Sequence, residues 1–85
     1  MNILNEGLLF NYQQLFPELT PWQLEIIVLY SSGFNQNEIA RIKNISKQAV
    51  SKALNEGKKR YHLEKVESIR SVFIARRLSS IPFFP

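Results

Sequence analysis

The stretch Glu38-Ile39-Ala40-Arg41-Ile42-Lys43-Asn44-Ile45-Ser46-Lys47-Gln48-Ala49-Val50-Ser51 decides how this chain is read. Ser46 is a helix N-cap candidate, because its hydroxyl can accept a backbone N–H of the following turn. Upstream, Asn35 can do the same, and Glu38 three residues later completes a capping box. These caps predict one helix from Gln36 to Ile42 or Lys43 and a second beginning at Lys47. About three residues remain between the two helices, the connection length of a helix-turn-helix. Asn44 falls in that turn, and Asn tolerates the left-handed conformation better than most residues. Ala40 is small enough for two helices to cross closely, with Ile39, Ile45 and Val50 filling the corner.

The second helix carries the chemistry. At about 100° per residue, Lys47, Gln48, Ser51, Lys52, Asn55, Lys58 and Lys59 fall within an arc of about 140°. Ala49, Val50, Ala53, Leu54, Gly57 and Tyr61 fall on the other side. The polar face contains no acid, and Glu56 lies at its edge. Gln and Asn can pair with adenine, and Lys reaches guanine or phosphate. A solvated helix face is the bland reading, but such faces usually mix signs. In a helix-turn-helix this second helix enters the DNA major groove. Lys47, Gln48, Ser51, Lys52 and Asn55 are therefore the expected base contacts, with Lys58, Lys59 and Arg60 expected on phosphates.

Working outward, charge is one-sided. All 11 basic residues lie from Arg41 onward, and the first forty residues carry only Glu6, Glu18, Glu25 and Glu38. The first forty residues thus hold −4 and the remainder +8, giving the +4 of the whole chain. That asymmetry fits a protein laying one face on a polyanion. A membrane surface is not the expected partner, because the basic face lacks the broad apolar face of an interfacial helix. Eighty-five residues make one small domain. With no Cys and one His, disulfides and a zinc site are not expected, and a reducing, cytoplasmic setting is. No metal or cofactor is expected. An enzyme is not expected either: His62 lacks an Asp or Cys partner nearby in sequence, and its place between Tyr61 and Leu63 suits a helix surface. No Gly-rich phosphate loop or paired carboxylates appear.

Thr20-Pro21-Trp22-Gln23 is a further helix start, with a capping Thr, Pro at the first helical position and Gln completing the box. Leu24, Ile27, Val28 and Tyr30 give an apolar stripe, and Gly33 suits the left-handed residue that ends a helix. Trp22 is expected to be partly buried, in the core or near the DNA backbone. Residues Asn2 to Phe16 predict an apolar-rich helix that caps the core or meets a second subunit, with Pro17 closing it. Gly57 marks a bend or a close contact. Beyond it no Pro or Gly occurs until Pro82, so Tyr61 to Leu78 predicts a long helix, continuous with the preceding one or not. Leu63, Val66, Ile69 and Phe73 are spaced for a core stripe or for a dimer or partner seam; Arg70 and Arg77 interrupt a simple coiled coil. In the tail Ile81-Pro82-Phe83-Phe84-Pro85 the two Phe either tuck back or engage a partner.

Leu19-Thr20-Pro21, Glu25, Gly33, Asn35, Glu38-Ile39-Ala40, Ile45-Ser46 and Val50 resemble the LuxR/GerE-type DNA-binding domain over about residues 19–62. The same segment is similar to region four of bacterial sigma factors. The resemblance implies base contacts from Lys47, Gln48, Ser51 and Lys52, phosphate contacts near Asn35, Gln36 and Ser46, and dimerisation through residues after Tyr61. Lys43 stands where the family usually has Leu, Asn44 replaces Gly, and Asn55-Glu56-Gly57 lacks the usual apolar step. With no receiver or ligand-binding segment before the motif, control by abundance or by a partner protein is the expectation. The chain is thus expected to be an all-α small bundle of about four to five helices containing a helix-turn-helix. Residues 1–18 form an N-terminal amphipathic helix, 19–62 the DNA-binding core, and 63–85 a C-terminal helix and apolar tail for packing or dimerisation. Its expected function is sequence-specific transcriptional regulation on double-stranded DNA, as a homodimer. The alternative is an adaptor on the same scaffold that binds another regulator or RNA polymerase.

Overall fold

The computed structural model describes residues 6–80, which fold into five helices with no strand among them: α1 (Glu6–Leu15), α2 (Pro21–Ser31), α3 (Gln36–Lys43), α4 (Lys47–Arg60) and α5 (Ser68–Ser79). The expected apolar residues Ile3 and Leu4, and the tail from Ile81, lie outside the described residues. The all-α expectation holds. Local side-chain chemistry sets three of the helix starts. The Thr20 hydroxyl accepts from the Gln23 N–H at 3.2 Å, and Gln23 Oε1 accepts from the Thr20 N–H at 3.1 Å. Asn35 and Glu38 form the same reciprocal box at 2.8 and 2.9 Å. Ser46 accepts from the Ala49 N–H at 3.0 Å and starts α4 one residue later. Each cap satisfies backbone donors that a helix start otherwise leaves unpaired.

Three helix ends share one solution. After α2, Gly33 adopts φ 110°, and Phe34 N–H donates to the Leu29 carbonyl while Gly33 N–H donates to Tyr30. After α3, Asn44 takes φ 54°, with Ile45 N–H on the Ala40 carbonyl and Asn44 N–H on Arg41. After α4, His62 takes φ 55°, with Leu63 N–H on the Lys58 carbonyl and His62 N–H on Lys59. All three are Schellman closures, in which one left-handed residue turns the chain and satisfies orphan carbonyls.

The third closure corrects the expected helix from Tyr61 to Leu78. His62 is exposed, but it sits on a turn and not on a helix surface. The chain leaves helix over Tyr61–Glu67 and re-enters at Ser68, where no side chain caps the start. Neither Gly nor Pro announces this break, because a His accepts the left-handed position.

α2 is the centre of the fold. Leu24 and Ile26 through Tyr30 are all buried, so the helix is apolar around its circumference over these turns. The sequence predicts a one-sided stripe; the structure wraps α2 with α1, α3, α4 and α5, all of which contact it. Phe16, Leu19, Ile39, Val50, Ala53, Leu54, Ile69 and Phe73 complete the core. Phe16 and Phe73 stack with ring centroids 5.3 Å apart, and Tyr12 packs on Phe73 at 5.4 Å. Ile69 is 1% exposed and Phe73 8%, so the 63–66–69–73 stripe is core rather than an open dimer seam. Leu63 and Val66 pack against that core from the loop. Gly57 marks a close approach: a Cβ there would lie 2.8 Å from Ile27 Cδ1 and 3.5 Å from Ile69 Cδ1. α4 meets α2 at this point.

The arginines of α5 bind the fold together. Arg70 Nε donates to the Tyr30 carbonyl at 2.8 Å, and its guanidinium stacks on that Tyr ring 3.9 Å from the centroid. Arg76 donates to the Leu15 carbonyl at 2.9 Å and pairs with Glu18. Arg77 donates to the Tyr12 hydroxyl. Part of the basic C-terminal half therefore serves packing, and the one-sided charge overstates the positive surface open to a polyanion. No helix among the described residues is long and apolar enough to cross a membrane.

Candidate nucleic-acid interface

α3 and α4 are joined by Asn44, Ile45 and Ser46 and pack against each other. Ile39 and Val50 are fully buried, and Ala40 and Ile45 are partly buried against the core. This anchoring leaves the opposite face of α4 in solvent. Lys47, Gln48, Lys52 and Asn55 are exposed, and Ser51 is half-buried between them. Val50, Ala53, Leu54 and Gly57 form the buried face. The first turn of α4 contains no acid, so its positive dipole end and Lys47 add rather than cancel.

The two helix starts converge. Asn35, Gln36, Asn37 and Lys47 line one open cleft of about 470 Å³. Asn37 was not anticipated from the sequence; its place in the first turn of α3 is the signal that could have identified it. The caps leave a particular chemistry at this side of the domain. The Asn35 side-chain oxygen is occupied by the Glu38 N–H, which leaves its amide N–H groups to donate. The Ser46 oxygen already accepts one bond, and its hydroxyl hydrogen remains a donor. Donors beside a lysine and two helix N-termini are what a phosphate oxygen requires.

The remaining expected phosphate contacts lie elsewhere. Lys58, Lys59 and Arg60 occupy the last turn of α4, about 16 Å along the axis from Lys47 at 1.5 Å per residue. Lys58 is half-buried. Lys59 and Arg60 line a second cleft, of about 630 Å³, together with Glu18, Glu56 and His62. That neighbourhood is mixed in sign, and the three cations also complement the negative end of the helix dipole. The structure thus joins Asn35 and Gln36 with Lys47 and separates Lys59 and Arg60 from them.

Lys43 has a structural post. Its ammonium pairs with Glu25 at 2.7 Å, each side chain only 15% exposed, and sits 5.7 Å from the Trp22 ring centroid. It pins α3 to α2 by charge, and the neighbouring Ile42 packs on the core. Trp22 itself is 43% exposed, part of its surface covered and the rest open to solvent. At the far end of α4, burial alone would raise the Glu18 carboxyl. The facing Tyr61 hydroxyl, the local backbone and Arg76 outweigh burial and hold Glu18 below its ordinary value. The Tyr61 hydroxyl is pushed upward, first by burial and then by that carboxylate. Its oxygen is buried without a partner in full hydrogen-bond geometry among the described residues. No cluster of metal-ligating side chains occurs among the described residues.

Comparison with protein-family models, curated proteins and solved structures finds no match.

Proposed function

We propose that this chain is a sequence-specific DNA-binding transcriptional regulator of cytoplasmic location, in which α3, the three-residue turn and α4 act as a helix-turn-helix. α4 enters the major groove with Lys47, Gln48, Ser51, Lys52 and Asn55 toward the bases. Asn35, Gln36 and Ser46 hold the adjacent phosphates. The observation that carries this reading is the exposed, acid-free face at the start of α4, fixed rigidly by the buried Val50 and Ile39 behind it. The residue-level resemblance of 19–62 to the LuxR/GerE-type domain supports the same reading. Binding as a homodimer belongs to the proposal. With Ile69 and Phe73 buried, the apolar surface left on α5 for a second copy is Ile74 and Leu78, which are 51% and 38% exposed.

Those exposed residues, and Phe10 of α1 at 60%, favour a second reading: an adaptor that offers apolar side chains to another regulator or to RNA polymerase. One variant separates the two. Lys47, Gln48 and Lys52 are exposed, so replacing all three by Ala leaves the fold intact. Affinity for a selected DNA site is expected to fall to the non-specific level, about 10⁻⁴–10⁻⁶ M at physiological salt. An unchanged footprint overturns the DNA-reading role of α4. Wild-type affinity that never exceeds the non-specific level, beside a tight protein complex, favours the adaptor.

A further inference from the structure

Asn55 and Ser51 lie one turn apart on the exposed face of α4, and they are already bonded to each other. Asn55 Nδ2 donates to the Ser51 carbonyl at 2.9 Å and to Ser51 Oγ at 3.3 Å. Chemistry fixes the orientation of this amide. A backbone carbonyl only accepts, so the nitrogen must face it and Oδ1 must face away. The free side chain therefore presents an acceptor to solvent, with its donor end spent inside the helix. Ser51 is complementary. Its oxygen accepts from Asn55, and its hydroxyl hydrogen is not taken by another described residue, so it remains a donor. The two side chains together offer one donor and one acceptor, pre-set by the helix before any ligand arrives.

Resting on the DNA-binding reading above, we infer that Ser51 and Asn55 act as one composite base reader selective for adenine. Adenine is the base whose major-groove edge pairs an acceptor, N7, with an amino donor, N6. The Ser51 hydroxyl donates to N7, and Asn55 Oδ1 accepts from the N6 amino group. Cytosine offers only its amino donor, so it satisfies Asn55 and leaves Ser51 unused. Guanine presents two acceptors, N7 and O6, against the Asn55 oxygen and is rejected. Lone Asn usually reads adenine through both ends of its amide; here Ser51 replaces the donor that the helix has consumed.

The test is selection from a random duplex pool by the full chain and by its S51A, N55A and N55D variants. Circular dichroism and urea unfolding verify that each variant folds. The wild-type motif is expected to contain an adenine that both S51A and N55A cease to enrich. The preference at that base pair should drop about tenfold or more, with the other positions kept. N55D keeps an acceptor for an amino hydrogen, but its carboxylate takes up the Ser51 hydroxyl hydrogen one turn away, so the N7 donor is lost and the preference should move to cytosine. A wild-type motif unchanged in N55A overturns the inference while leaving the DNA-binding reading standing. Loss of a guanine preference instead of an adenine overturns it equally. A wild-type chain that enriches no motif overturns the DNA-binding reading, and this inference with it.

Discussion

Replacing Gly57 by Ala should destabilise the fold, although it improves the helix. In an open helical position the change gains about 1 kcal/mol of helix propensity. At Gly57 the new methyl would lie 2.8 Å from Ile27 Cδ1, a separation that one of the two groups must relieve. Ile27 is 1% exposed and surrounded by core, so its terminal methyl has little room to retreat. Overfilling a packed site of this kind costs about 1–3 kcal/mol. The balance is a net loss centred near 1 kcal/mol. With a urea m-value of about 1 kcal/mol per molar for so short a chain, the midpoint should fall by about 1 M. Ile27→Val removes the obstructing Cδ1 and by itself costs about 0.5–1.5 kcal/mol. In that background the nearest remaining atom is Ile69 Cδ1 at 3.5 Å, an ordinary contact. There Gly57→Ala should stabilise by about 1 kcal/mol. The sign of the same substitution reverses, a coupling of about 2 kcal/mol between adjacent side chains. The reasoning fails if G57A raises the urea midpoint of the wild-type chain, or lowers it equally in both backgrounds.

Three further outcomes follow from named contacts. His62 holds a left-handed turn that glycine adopts without strain, so His62→Gly should raise thermal stability by a few tenths to about 1 kcal/mol, whereas His62→Val should lower it; a stabilising Val refutes the closure of α4. Glu18 titrates below its ordinary 4.5 in the folded chain, so its contribution is fully present above that value and is lost as pH falls through the depressed folded value. The drop in urea midpoint between pH 6 and pH 3 should be smaller in Glu18→Gln than in wild type; an equal drop removes Glu18 from the acid response. Lys47→Ala should reduce the slope of log affinity for DNA against log salt by about 1, whereas Arg77→Ala, whose guanidinium is held by Tyr12, should leave it unchanged. A slope that depends on Arg77 places the DNA on α5.

The helix starts were legible because a cap is a local device. Thr20 with Gln23, Asn35 with Glu38, and Ser46 each act on a backbone group within three residues, so the sequence window contains the whole interaction. Asn44 was legible for the same reason. The break after α4 was not. Leu63, Val66, Ile69 and Phe73 are spaced as one helical stripe, yet the first two sit in a loop and reach the core from a different backbone path. The encirclement of α2 was equally hidden, because Ile26 and Leu29 need four neighbouring helices before their burial makes sense. At the candidate site, the α4 face could be read from periodicity, which depends on one helix alone. The cleft with Asn37, the internal commitment of Asn55, and the diversion of Arg70, Arg76 and Arg77 into packing could not. Each depends on which groups meet in space.

The central claim is that the start of α4, together with the start of α3, forms the DNA-binding surface. Amide chemical-shift mapping on titration with a mixed-sequence 20-base-pair duplex at low salt tests it most directly. Non-specific binding already uses the phosphate-facing surface. The account predicts that the largest shifts fall on residues 35–37 and 46–55, with Ile74, Leu78 and Phe10 unaffected. Shifts concentrated on α5 and α1, or none at duplex concentrations that saturate non-specific binders, contradict it.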